Sequence, residues 1–509
     1  MLQIKHLTLT HKKDFALLVE DLSFTLNAGE RIALIGEEGN GKSTLLRAIA
    51  GDEGVTDYAE IGGQIVNTWR TGYLPQELPA AVRAMTAYEF FCEGAAFYDQ
   101  TPKRLGQLAA RLHLPADVFY SEQRMSAFSG GERVKLQLAR LLMDEPELLL
   151  LDEPSNDLDA DTVRWLEEFL VGCGLSVLFV SHAETLLRRA ATGVLLLERL
   201  RRRQVPRAGV CRLGYDDFVT SRAEVFAHQE QVARKEREEY AKKIQTFETI
   251  RRRVEHDQAA ISRQNPGGGR LLKKKMHAVL SMGRRFEREA REMTDMPESE
   301  EAIFAKLGCE PLSAGKTVLD LFLPELSVGE RVLCKDVRMN VRGREKVCIL
   351  GRNGVGKSTL LRRIRDELAA REDIRVFYMP QEPGDILDMS GTPVQALTVS
   401  GDKEENVRIC VALGSMKFTG DEMNHPCSGL SGGQKAKLMF LMMAQSQANV
   451  LLLDEPTRNL SPLSGPVVRA LFADYPGCII AVSHDALFEK EVCTRRLVLG
   501  PEGFLPDRI

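Results

Sequence analysis

GEEGNGKS at residues 36–43 and GRNGVGKS at residues 351–358 are the stretches that decide the fold. Each fits G-x-x-x-x-G-K-[ST], follows a strand-like run (31–35 and 346–350) and opens a helix-like one. A glycine-rich turn in that context lets backbone N–H groups wrap phosphates at a helix N-terminus. One copy alone could be an incidental turn, but two in the same context argue against that. The candidate phosphate-binding residues are Gly36, Glu37, Glu38, Gly39, Asn40, Gly41, Lys42, Ser43 and Thr44 in the first loop. In the second they are Gly351, Arg352, Asn353, Gly354, Val355, Gly356, Lys357, Ser358 and Thr359. Lys42 and Lys357 are expected to reach the β/γ-phosphates of ATP, and Ser43 and Ser358 to ligate Mg²⁺. Glu38 stands where the second loop has Asn353. An acid beside a triphosphate is expected to weaken ATP binding by like-charge repulsion.

Working outward, the repetition continues. SGGERVKLQLARLL (129–142) returns as SGGQKAKLMFLMMA (431–444), LLLLDEPSNDLD (148–159) as LLLDEPTRNLSP (451–462), and VSHAE (180–184) as VSHDA (482–486). One constant offset relates Ser129 to Ser431, Glu153 to Glu455 and His182 to His484, so the chain holds two copies of one fold. The leucine runs ending in Asp152 and Asp454 read as buried parallel strands. An aspartate at such a strand end holds Mg²⁺, and the next residue, Glu153 or Glu455, is placed to polarise the attacking water. Gln76 in YLPQE and Gln381 in YMPQE suit an amide touching Mg²⁺. His182 and His484 end apolar strands and are candidates to grip the γ-phosphate. A lone strand-end histidine is more often structural, but the fixed offset to both glutamates favours the functional reading.

The chain has 509 residues, 44% hydrophobic and 28% charged, with a net charge of −4. That length suffices for two full cores. The net charge excludes nucleic-acid binding through bulk positive charge but permits a local basic patch. No apolar run reaches the roughly 18–20 residues that span a bilayer. The N-terminus lacks the order of a signal peptide, and ten scattered cysteines form no C-x-x-C pair. The expectation is a cytoplasmic protein with reduced thiols, no zinc site and no membrane contact.

Between the copies the character changes. A seven-residue spacing carries Phe226, Ala233, Tyr240, Phe247 and Val254, then Leu272, Val279, Phe286 and Met293. The spacing predicts two long helices zipped antiparallel as a coiled coil, the first over residues 222–260. Pro266 to Gly269 is expected to break any helix and form the tip, at about residues 258–272. Residues 251–291 contain twelve Lys and Arg against four acids, a basic excess in an otherwise acidic chain. That is the footprint of a phosphate-binding finger. Candidate RNA contacts are Arg263, Asn265, Arg270, Lys273, Lys274, Lys275, Arg284 and Arg285.

The ordered motif set, with SGGE and LSGGQ as signatures, resembles the ABC ATPase superfamily twice over, across essentially the whole chain. The fold class it implies is α/β: two P-loop ABC cassettes, residues 1–214 and 301–509, joined by an α-helical hairpin at 215–300. It also implies head-to-tail closure of a monomer. Ser129, Gly130 and Gly131 then cap the ATP held by Lys357, and Ser431, Gly432 and Gly433 cap the ATP held by Lys42. A fused importer ATPase subunit is one alternative. Against it stand the charged linker and the short distances from Lys42 to Ser129 and from Lys357 to Ser431. LGYDDF (213–218) and RRFERE (284–289) resemble the ABC-F family of ribosome-acting tandem cassettes. That resemblance implies a hairpin entering the exit-tRNA site of the 70S ribosome, toward the peptidyl tRNA and the peptidyl-transferase centre in 23S rRNA. The glycine-rich tip, and Ser461 in place of the aspartate at Asp159, are similar to the antibiotic-resistance branch. A general factor rescuing stalled ribosomes is the other alternative.

Overall fold

The computed structural model describes residues 1–156, 158–200, 205–260, 266–297 and 306–505. They divide into two units: Met1–Tyr215 with Glu300–Ile509, and Asp216–Ser299.

In the first unit, the N-terminal half begins with β1 (Leu2–His11), β2 (Leu17–Leu26), β3 (Arg31–Ile35), β4 (Ala59–Asn67) and β5 (Thr71–Leu74). It continues with β6 (Leu148–Asp152), β7 (Ser176–Val180), β8 (Gly193–Arg199) and β9 (Val205–Cys211). The main sheet runs β5–β6–β7–β3–β8–β9, parallel as far as β8, with β9 antiparallel at its edge. β6 and β7 are buried along their whole length, as continuous apolar runs require in a sheet covered on both faces. A small antiparallel sheet, β2–β1–β4, shares its core with β3 and with Leu45, Leu46 and Ile49 of the Lys42–Ala50 helix.

The C-terminal half repeats the plan. β10 (Thr317–Val328) pairs antiparallel with β11 (Arg331–Arg342) in a sheet of two strands. β12 (Lys346–Leu350), β13 (Val376–Met379), β14 (Val450–Asp454), β15 (Cys478–Val482), β16 (Arg495–Gly500) and β17 (Gly503–Leu505) follow. Their order is β13–β14–β15–β12–β16–β17. Open parallel sheets place ligands beyond the carboxyl ends of their strands, here the ends of β3, β6, β12 and β14. The two halves also meet through buried charge. Arg469 is 2% exposed and gives bidentate hydrogen bonds to Glu184 at 2.6 and 3.3 Å and one to Glu491 at 2.6 Å.

All ten cysteines are free. Among the described residues no helix is long and apolar enough to cross a membrane.

The second unit contains two long helices, Tyr215–Ala260 and Pro266–Glu292. The first begins at Tyr215, earlier than the expected 222, because Asp216 and Asp217 favour a helix N-terminus. Pro266 to Gly269 does not break the second helix but forms its first turn. Proline is well placed there because the first-turn N–H groups have no intrahelical partner and its φ is already helical. The glycines follow it despite their helix propensity. Arg263 and Asn265 lie outside the described residues.

The contacts within this unit run antiparallel. The Phe247 and Phe286 rings meet edge-on with centroids 5.6 Å apart, Lys243 pairs with Glu289 at 3.1 Å, and Glu236 accepts the Thr294 amide at 2.7 Å. Ala233, Val254 and Val279, three of the spaced apolar positions, are buried. A Cβ on Gly283 would lie 3.3 Å from the Phe247 ring, so the helices approach closely there. Gly283→Leu should overpack this seam and cost about 1–3 kcal/mol. The expected readout is faster amide hydrogen exchange in peptides spanning residues 240–290, with the cassette peptides unchanged.

Candidate functional site

Both phosphate loops join a buried strand to a helix. Gly41 and Gly356 sit before their helices at φ 84° and 103°, left-handed values that favour glycine. Lys42 Nζ turns back onto the carbonyls of Gly36 and Glu37 at 2.8 and 3.0 Å. Lys357 Nζ does the same to Gly351 at 2.8 Å and Arg352 at 3.2 Å, and reaches Asn353 Oδ1 at 3.4 Å. Each ammonium is therefore held over its own loop, where phosphates would lie.

The strand-end acids converge on the same points. Asp152 accepts from Ser43 Oγ at 3.1 Å and from the Tyr73 hydroxyl at 3.4 Å. Both oxygens of Asp454 are buried without a well-formed hydrogen bond, as is Glu455 Oε1. Burial pushes the carboxyls of Asp152 and Asp454 up. Buried carboxylate oxygens lacking partners fit a hydrated divalent cation, which supplies the missing positive charge. Among the described residues no group of three His, Cys, Asp or Glu side chains forms a closed metal cage. Gln381 lines the second site, whereas Gln76 is exposed.

Glu153 and Glu455 hold left-handed backbone conformations, φ 49° and 54°, which bulky residues seldom adopt. Their amides bond the carbonyls of Val180 and Val482, and their carboxylates accept the amides of His182 at 3.2 Å and His484 at 3.1 Å. Neither glutamate acts as a helix cap. The two differ in charge environment. His182 Nε2 lies 3.0 Å from Glu153 Oε1, and its Nδ1 donates to the Leu460 carbonyl of the other half at 2.6 Å. Burial pushes the Glu153 carboxyl up, but His182 and Lys42 outweigh it and hold it below the usual range. His484 is farther from Glu455, at 3.7 Å. There burial wins, Asp454 adds to it, and the carboxyl is pushed up to about 8.

The composite sites also differ in how the halves meet. At the first, Ser431 N-caps the Gly432–Ser446 helix and the Gly433 amide donates to Glu38 Oε2 at 3.1 Å. Glu37 pairs with Lys437 at 2.5 Å, the two side chains being 8% and 2% exposed. A small void of about 10 Å³ lies between Glu37 and Glu38 and the Ser431, Lys437 and Ser461 side of the second half. The second site opens into a cavity of about 450 Å³, lined by Lys357, Ser358, Glu455 and His484 and by Ser155, Asn156 and His182 of the first half. Among the described residues, Ser129, Gly130 and Gly131 do not line that cavity. Ser129 is exposed, and a Cβ on Gly131 would meet Thr162 at 2.8 Å. Asp159 caps the Ala160–Gly172 helix, but Ser461 at the equivalent place is followed by a 3₁₀ turn, Pro462–Ser464. The Gly465–Ala473 helix therefore starts later.

A family model described as "ABC transporter" matches residues 19–156 and 334–458, which include both phosphate loops and both strand-end acid pairs. The chain belongs to the ABC transporter family. It is an ATPase that uses ATP with Mg²⁺. This ABC ATPase is 27% identical over 512 residues to "Probable ATP-binding protein YheS" of Escherichia coli (strain K12), covering 93% of the chain and 75% of that protein. It is 25% identical over 551 residues to "ABC transporter F family member 5" of Arabidopsis thaliana, covering 96% and 74%. Among solved structures it resembles archaeal aABCE1, described as a ribosome recycling factor in complex with ribosomal stalk protein aP1. The TM-score is 0.58 at 17% identity, with 98% of this chain and 89% of that one covered, a likeness of fold.

The sequence motifs did not single out Lys437, Arg469, Tyr73 or the Leu460 carbonyl. One signal for Lys437 was available: Glu37 in the first loop is replaced by Arg352 in the second. In this ABC ATPase Lys437→Met removes the cation that faces the buried Glu37 carboxylate. The expected cost is about 3–5 kcal/mol, seen as a lower urea midpoint. Adding Glu37→Gln should recover part of that loss. Lys135→Met, at the equivalent place in the first half, should cost less because Lys135 is only half-buried, where water screens its charge.

Proposed function

We propose that this chain is an ABC-F protein that binds the ribosome in its ATP-bound state, reaching RNA through its helical hairpin. The observation that carries the reading is charge placement. Lys273, Lys274, Lys275, Arg284 and Arg285 are exposed on the Pro266–Glu292 helix of a chain whose net charge is −4. A basic surface on a long helical element, attached to two ATPase cassettes, suits phosphate contacts switched by nucleotide. Arg285 shares Glu289 with Lys243, an exposed cluster that leaves its charge open to exchange for phosphate. The two relatives above, one carrying the ABC-F name, support the reading through their coverage of nearly the whole chain.

Within this reading Glu153 and Glu455 polarise the attacking water, and His182 and His484 position them and the γ-phosphate. Ser43 with Asp152, and Ser358 with Asp454 and Gln381, hold Mg²⁺, which neutralises charge developing on the phosphates. The two helices form a coiled coil that carries the basic surface toward 23S rRNA and the peptidyl tRNA, and the first signature caps site two on closure. The hairpin displaces antibiotics bound near the peptidyl-transferase centre. A general translation factor rescuing stalled ribosomes is the second reading, and the same basic surface favours it equally.

Glu153→Gln with Glu455→Gln should keep ATP bound, lower turnover by roughly 100-fold or more, and leave the protein trapped on 70S ribosomes in pelleting assays. Pelleting should weaken steeply with salt, and Lys273→Glu with Lys274→Glu and Lys275→Glu should abolish it without changing nucleotide binding in solution. Co-purification with an integral membrane permease and no ribosome association would favour an importer subunit.

The resistance role is tested by growth of a sensitive host on pleuromutilin, lincosamide and streptogramin A drugs. Protection is expected with the intact protein and lost with the Lys273–275 variant. No protection against any of the three would leave the general-factor reading.

A further inference from the structure

The residues just beyond the strand-end histidines pair differently in the two halves. Arg469, buried in the second half, donates from Nε to Glu491 of its own half at 2.6 Å. Its two terminal nitrogens cross to the first half and meet the two oxygens of Glu184 at 2.6 and 3.3 Å. Glu184 is buried as well, and Arg188 of its own helix approaches it at 3.4 Å. The offset that relates His182 to His484 also relates Arg469 to Glu167, Glu491 to Arg189 and Glu184 to Ala486. The first half therefore keeps the local ion pair with its signs reversed, Glu167 with Arg189 at 3.2 Å. At the place equivalent to Glu184 the second half has only the methyl group of Ala486. Reversing the local pair leaves a guanidinium in the second half with a carboxylate to reach across the interface. The first half has no such grip at Ala486.

Glu184 opens the Glu184–Ala190 helix, two residues beyond His182, and Ser176–Val180 is the strand before them. The turn between strand and helix is thus held by the second half at both ends. At one end the Leu460 carbonyl accepts His182 Nδ1 at 2.6 Å, and at the other Arg469 holds Glu184. A planar guanidinium bonded to two carboxylates has few alternative geometries, so it fixes direction as well as distance. A buried ion pair adds little net stability over an apolar contact of the same shape, which leaves geometry as its main effect. The geometry at stake is that of His182, whose amide donates to Glu153 at 3.2 Å and whose Nε2 lies 3.0 Å from Glu153 Oε1. Hydrogen bonds of this kind fade within a few tenths of an ångström beyond that length.

We propose that Arg469 is a positioning residue for ATP hydrolysis at the first site: through Glu184 it holds the 182–184 turn so that His182 stays within hydrogen-bond distance of Glu153. The second half thereby sets the rate at the first site through a contact that has no counterpart in the opposite direction. This rests on the reading of Glu153 and His182 as the hydrolytic pair of that site.

The test isolates each site in the full chain. Glu455→Gln confines hydrolysis to site one, and Glu153→Gln confines it to site two. In the Glu455→Gln protein, Arg469→Met should lower kcat on the order of tenfold or more while KM for ATP changes less than about threefold. In the Glu153→Gln protein the same substitution should leave kcat within about twofold. Arg469→Lys keeps the charge but loses the fork, and should restore part of the site-one rate. Arg469→Met removes the main cation facing Glu184, so its folding is checked by the urea midpoint. Arg469→Met with Glu184→Met removes both buried charges, and should fold yet stay slow at site one. Equal losses at both sites, a raised KM with kcat unchanged, or a full site-one rate in the double variant would overturn the proposal. His182→Ala in the Glu455→Gln protein tests the reading beneath it. An unchanged rate there would remove His182 from the mechanism and the proposal with it, whereas a slow His182→Ala protein beside fast Arg469 variants would overturn the proposal alone.

Discussion

The ion pair between Glu37 and Lys437 is the constraint on which the arrangement of the cassettes turns. Both side chains are almost wholly removed from water. Each would be strongly destabilising alone, because a buried charge without a partner keeps its desolvation cost and loses its compensation. One comes from the phosphate loop of the first half and the other from the signature helix of the second. Separating the halves at this point must therefore hydrate or strand two charges. Arg469, Glu184 and Glu491 impose the same condition a second time. At site two the equivalent positions are Arg352 and Lys135, and Asp159 of the first half is the acid that acts on both.

The same logic sets the chemistry at the strand ends. Glu153 and Glu455 have similar backbone strain, similar hydrogen bonds to the following histidine amide, and the same place after a buried aspartate. They differ in the distance to a histidine ring, 3.0 against 3.7 Å, and in neighbouring charge, since Asp454 adds to the effect of burial at Glu455. The Leu460 carbonyl of the other half anchors His182. In a site with little water a fraction of an ångström decides whether burial or the neighbouring charge dominates a carboxyl.

Much of this was legible in the sequence for a local reason. A glycine pattern between an apolar run and a helical period has few structural solutions, so both phosphate loops, the all-buried strands β6 and β14 and the strand-end acids could be placed from residue order alone. Seven-residue spacing placed Ala233, Phe247, Val254, Val279 and Phe286 on one seam for the same reason. The reading failed where a local rule has two outcomes. Proline stops a helix that reaches it and starts one that follows it, and at Pro266 only the start was available. Gln76 and Gln381 occupy matching motifs; Gln381 lines the second site and Gln76 is exposed.

The sequence by itself determined that there are two nucleotide-binding halves, with loops, acids and histidines in register, and a basic segment between them. These follow from chain order and short-range periodicity. Glu38 opposite Asn353 and Ser461 opposite Asp159 already mark the halves as unequal in sequence, but tertiary structure alone decided which partners those differences meet. Whether Glu37 finds a cation, whether Glu38 meets an amide, and whether His182 is held close to Glu153 depend on residues hundreds of positions away in the chain. Charge interactions between such groups are set by distance and burial in three dimensions, and neither quantity is written in the spacing of residues along the chain.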